Sequence, residues 1–69
     1  MKAIEKLKNF ENGRIKVISI NENEANIIYC GKEFNNCKVE IFGTNKEFVF
    51  IETNYMEKGD GPIINTNNI

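Results

Sequence analysis

The sequence predicts a mainly β protein of the α+β type: a short N-terminal helix followed by a four- to five-stranded antiparallel meander, forming a small barrel or a strongly coiled sheet. Three observations carry this. Apolar residues recur at spacings of three and four only near the N-terminus, short β-branched and aromatic runs follow, and the connectors between those runs have hairpin length. At 69 residues the chain is too short for two cores, so residues 1–64 are expected to form one small domain and the polar residues 65–69 to fray as a C-terminal tail.

In the segment 1–12, Ala3, Ile4, Leu7 and Phe10 fall within one helical stripe, with Lys2, Glu5, Lys6 and Asn9 on the far side. Asn12-Gly13 then supplies a stop, because glycine takes the left-handed conformation without steric cost. The same dipeptide is the strongest two-residue hairpin signal, so Glu11-Asn12-Gly13-Arg14 is a competing turn. Read as a strand, residues 3–10 mix apolar and charged groups on both faces, and the helix is preferred.

After Gly13 the segments Arg14–Ile20, Ala25–Cys30, Cys37–Phe42 and Glu47–Thr53 read as strands, joined by connectors at 21–24, 31–36 and 43–46. A fifth, Pro62–Ile64, follows a turn at Lys58-Gly59-Asp60-Gly61. Cys37, Val39 and Ile41 alternate with Lys38 and Glu40, which is the pattern of a strand with one buried and one wet face. In the first strand the apolar phase slips between Val17 and Ile18, as a bulge requires. Phe48-Val49-Phe50-Ile51 is apolar on both faces and predicts a central strand, covered by the helix on one side and by a curled sheet or a second subunit on the other. A chain this small gains little from a single core, so a homodimer is an expected supplement.

Composition narrows the chemistry. Asn and Ile supply 23 of the 69 residues, and lysine far outnumbers the single Arg14, a bias towards A/T-rich codons that suits a low-GC bacterium or one of its viruses. Histidine and tryptophan are absent, which removes the commonest general base and metal ligand and the strongest stacking side chain. Cys30 near Lys32 has no histidine to act as its base, and no serine triad can be assembled, so no enzyme is expected. Glu22 and Glu24 sit in a polar turn, and Gly59-Asp60-Gly61-Pro62 lacks the Lys-Ser/Thr and helix of a phosphate loop. No metal or cofactor is expected.

The N-terminus carries charges at Lys2, Glu5, Lys6, Lys8 and Glu11, and no apolar run reaches the length of a signal peptide or a membrane span, so the expected location is cytoplasmic. Two cysteines there should be free thiols acting as small hydrophobes. If residues 31–36 form a hairpin loop, however, Cys30 and Cys37 lie opposite each other at disulfide range, and two chains together could offer four thiols to zinc.

With a formal charge of −1 there is no bulk attraction for polyanions. The charge is nonetheless uneven. Residues 1–16 hold five cations, Lys2, Lys6, Lys8, Arg14 and Lys16, against Glu5 and Glu11. Among the aromatic residues, Phe42 shares a strand face with Lys38 and Glu40, and Phe34 is placed in a loop. Exposed aromatics amid acidic charge mark protein contact more often than a nucleic-acid platform. The order of one helix and then five strands is similar in architecture to the Sm-like barrel.

The expected function is therefore a non-catalytic binding module acting by protein–protein contact through Phe34, Phe42, Lys38 and Glu40. A phage- or mobile-element-encoded inhibitor or regulator of a bacterial defence complex would fit that description. The alternative is a small SH3-, Sm- or OB-like barrel that binds single-stranded nucleic acid through its five N-terminal cations.

Overall fold

A computed structural model describes residues 2–52 and 61–69. The described chain is mainly β: one short helix, α1 (Ala3–Leu7), precedes six strands, β1 (Glu11–Asn12), β2 (Ile15–Ile20), β3 (Glu24–Tyr29), β4 (Lys32–Phe42), β5 (Phe48–Glu52) and β6 (Ile63–Asn65). Each strand pairs antiparallel with its neighbour in sequence, giving one sheet in the order β1-β2-β3-β4-β5-β6 that curls into a half-barrel.

The inner face of the curl holds the core. Ile15, Val17 and Ile20 of β2, Ala25 and Ile27 of β3, Cys37 and Val39 of β4, Val49 and Ile51 of β5 and Ile64 of β6 are all buried, and Ile4 and Leu7 of α1 join them. The helix thus fills the open side of the half-barrel. Ala3, Phe10, Tyr29, Phe34 and Ile41 pack around this cluster.

α1 is shorter than its apolar stripe because Asn9 turns left-handed (φ 61°) and the Phe10 N–H donates to the Leu7 carbonyl at 3.1 Å. The chain then runs straight into β1, which pairs Asn12 with Ile15 across a Gly13-Arg14 turn. The hairpin reading of this region, set aside on the sequence, is close to what forms. Periodicity favoured a helix because Phe10 is spaced as a fourth helical contact, yet it reaches the core from beyond the helix end.

Two register shifts curl the sheet. Between β2 and β3, Val17 pairs with Ile27 and Ser19 with Asn26, so Ile18 is an extra residue and is turned outward. This is the bulge that the phase slip predicts. Between β3 and β4, Ala25 pairs with Cys37 but Ile27 with Phe34, so β4 also carries an extra residue, with Asn36 left-handed at φ 57°. Asn26 lies between both irregularities and spans them: its Nδ2 donates to Ser19 Oγ at 2.9 Å, and its Oδ1 accepts the Asn36 N–H at 2.9 Å. A bulge increases local twist, and one side chain here holds two of them.

The second bulge corrects the sequence reading of residues 31–36. They are not a loop. Cys30 (φ 52°) and Gly31 (φ 81°) make a two-residue turn, with Tyr29 opposite Lys32, and β4 begins at once. The polarity of Lys32 to Asn36 reflects an exposed strand segment and its bulge. Cys37 consequently pairs with Ala25 while Cys30 stands at the turn, so the facing cysteine pair does not exist and both thiols are free.

At the C-terminus, Asn65 closes β6 and residues 66–68 form a 3-10 turn instead of a loose tail. Thr66 is buried, and its N–H (2.8 Å) and hydroxyl (2.9 Å) both donate to the Glu47 carbonyl. Asn65 Oδ1 caps the turn by accepting the Asn67 N–H. The predicted turn at 58–61 lies, apart from Gly61, outside the described residues, as do Thr53 and Tyr55.

Candidate partner-binding face

On the outer face of the curl the two halves of the sheet differ. Strand alternation sends Lys38, Glu40 and Phe42 of β4 outward, because Cys37 and Val39 point in. In β5 the same logic turns Phe48, Phe50 and Glu52 outward, and in β6 it exposes Ile63. Register then places Phe42 opposite Phe48, Glu40 opposite Phe50, and Phe50 opposite Ile63. The Phe42 and Phe48 rings stack with centroids 5.3 Å apart and planes 21° apart. Phe42 remains 42% exposed and Ile63 60%. Phe42, Phe48, Phe50 and Ile63 thus share the outer face of three neighbouring strands, with Asn65 opposite Phe48.

β5 is central, as its two-sided apolar pattern predicts, with β4 and β6 on its flanks. Its inner residues Val49 and Ile51 are fully buried, whereas Phe48 and Phe50 are only half-buried. The outer cover expected for this strand is partial.

Charge is arranged around this surface. Lys38 stands in register with Glu24 on one side and Glu52 on the other. Glu40 has only Phe50 opposite it, and among the described residues it makes no ion pair.

Phe34 does not belong to this face. It is paired with Ile27 and packs against the core, so Phe42 and Phe34 lie on opposite sides of β4. Phe48, Phe50 and Ile63 take its place. The alternation of Phe48 and Phe50 carried that signal in the sequence, but their parity relative to Phe42 depends on the register across the 43–47 turn.

The five N-terminal cations are not gathered into a patch. Lys2 Nζ lies 3.7 Å from Glu22 and Lys16 Nζ 3.8 Å from Glu11, Lys6 is half-buried, and Lys8 and Arg14 are exposed on separate turns. An open groove of about 900 Å³ between α1, the β2–β3 turn and the β4–β5 turn is lined by Lys2, Lys6 and Lys46 together with Glu5, Glu22 and Glu47. Its charges balance.

Cys37 is sealed in the core, where burial pushes its thiol above the ordinary value of 9.0, opposed by a backbone hydrogen bond that lowers it. Among the described residues no three metal-ligating side chains come together. No helix among them is long and apolar enough to cross a membrane.

Fold and face together define a class: a small curled β-sheet protein with a displayed aromatic surface. Comparison with protein-family models, with curated proteins and with solved structures returned no match for this chain.

Proposed function

We propose that this chain is a non-catalytic binding module that acts by protein–protein contact through the outer face of β4, β5 and β6. The observation that carries the reading is the stacked Phe42–Phe48 pair on the same outer face as half-buried Phe50 and, opposite Phe50, the 60%-exposed Ile63. Contiguous exposed apolar surface of this kind is costly to leave in water and marks contact sites when polar residues rim it. Lys38 and Glu40 supply that rim. A chain without histidine is better suited to occupying a partner's surface than to transforming a substrate, which agrees with a small inhibitor or regulator.

The test is site-specific photocrosslinking in extracts of the source cell, with benzoylphenylalanine replacing Phe42 or, as a control, Glu33 at the far end of β4. A discrete protein adduct is expected from position 42 and not from 33, competed by unlabelled wild-type protein but not by Ile63→Asp. An absence of any adduct specific to position 42 would overturn the reading. So would a low-salt gel shift with single-stranded oligonucleotide that is lost on neutralising Lys8 and Arg14, since that result selects the nucleic-acid alternative.

A further inference from the structure

The Asn12-Gly13 step, which leads β1 into its turn, also carries chemistry. We infer that Asn12 is a self-modifying site, at which the backbone nitrogen of Gly13 displaces the side-chain amide as ammonia and leaves aspartate or isoaspartate. The reaction needs a carboxamide, a following nitrogen that no side chain shields, and room for the two to meet. Asn12 is the one asparagine in the chain followed by glycine. A Cβ built on Gly13 would meet nothing within 4 Å, so the nitrogen is open to the side chain before it. Other asparagines are tied down by the fold: Asn21 Oδ1 accepts two backbone N–H groups at 2.8 Å, and the side chains of Asn26 and Asn65 are also bonded. Among the described residues the Asn12 amide has no such partner. β1 is two residues long, exposed at both, and paired on one side only. A strand so small opens locally at little cost, and opening frees the rotation about Asn12 that ring closure needs.

Solvent base takes the Gly13 amide proton, the nitrogen bonds to Cγ of Asn12, and the Cγ–Nδ2 bond breaks with loss of ammonia. Water then opens the five-membered imide at either carbonyl. Opening at Cγ leaves aspartate, and opening at the backbone carbon leaves isoaspartate, whose main chain runs through Cβ. One water is consumed, one ammonia is released, and nothing is oxidised or reduced.

The two products act differently on the fold. Aspartate adds one negative charge to a chain of formal charge −1 and keeps the backbone. Isoaspartate adds the same charge and lengthens the main chain by one carbon at the start of the turn. There Asn12 faces Ile15, Glu11 faces Lys16, and the Phe10 carbonyl accepts the Val17 N–H at 2.8 Å. An extra atom in one strand breaks that register, and Phe10 loses the anchor that sets it against the core.

Full-length protein, aged at mildly alkaline pH, digested with trypsin and mapped by mass spectrometry, tests this. The peptide of residues 9–14 is expected to gain one mass unit at Asn12 and split into two isomers, faster as pH rises. The peptide of residues 17–32, with Asn21, Asn23 and Asn26, should lag several-fold behind. Gly13→Ala should slow the gain several-fold without unfolding the protein, since its Cβ meets open space and Gly13 is not left-handed. The isoaspartate isomer should lose hydrogen-exchange protection at the Val17 amide, whereas Asn12→Asp keeps it. The inference is overturned if Asn12 gains mass no faster than Asn21 or Asn26, if Gly13→Ala ages at the wild-type rate, or if the gain occurs in urea and not in the native state. Equal Val17 protection in the two isomers would overturn the register change.

Discussion

β4 belongs to two different sheets in one. Its first half pairs with β3 through a bulge, beside a second bulge in β2, whereas its last five residues pair with β5 in unbroken register and β5 continues so into β6. The bulged half turns two consecutive residues outward at each irregularity, Ile18-Ser19 and Asn35-Asn36, and stitches them with Asn26. The regular half keeps strict alternation and so must put something on its outer face at every second position. Curvature in one half is made by extra residues, and the surface in the other half is made by their absence.

The difference can be broken from either side. The largest effect is expected from Gly61→Ala, because a Cβ there would collide with the Ile51 backbone carbonyl that β5 cannot move. It should cost about 2–3 kcal/mol in denaturant unfolding. Gly31→Ala in the bulged half meets no atom within 4 Å and bears only the strain of φ +81°, so about 1 kcal/mol is expected. Equal losses would mean that the regular half is not the less tolerant one.

Next come the two phenylalanines of β4. Phe34→Ala removes a ring packed on the core and should cost about 2 kcal/mol or more, while Phe42→Ala removes one partner of an exposed stack and should cost about 0.5–1 kcal/mol. Reversal of that order in thermal melts would make Phe42 a core residue. Asn26→Ala should cost about 1 kcal/mol and, more tellingly, speed hydrogen exchange at the Asn36 amide, while the Val49 amide stays protected. If Asn36 keeps its protection, the bulges hold without their stitch.

The smallest effect concerns Cys37. Its folded thiol ionises above 9.0 and its unfolded thiol near that value, so the folded state retains the proton longer. Stability from this group is complete below the unfolded value and is lost as pH rises through and beyond it. Unfolding free energy should therefore fall as pH rises through and above about 9 in the wild type and less so in Cys37→Ala. Iodoacetamide at neutral pH should modify exposed Cys30 and spare Cys37 until the protein unfolds.

What the sequence could reveal follows the same division. The clean alternation of residues 37–42 and the slipped phase of residues 15–20 each have one physical explanation, and both strands formed as predicted. Lys32 to Asn36 misled because a polar, exposed, bulged strand has the composition of a loop. The helix was overextended because the left-handed turn at Asn9 leaves Phe10 where a helix would also have put it. The outer aromatic face was half legible: Phe42 was visible from its own strand, but its neighbours Phe48 and Ile63 come from register across turns, which local pattern does not encode.

α1 touches β2, β5 and the 3-10 turn of residues 66–68. Since β1 and β6 never meet, this helix serves as the latch across a seam that hydrogen bonds leave unjoined. The closure therefore rests on the side chains that α1 lays against β2, β5 and the 3-10 turn, with no strand ladder across it, so the packing of Ile4 and Leu7 does there what paired backbones do along the rest of the sheet.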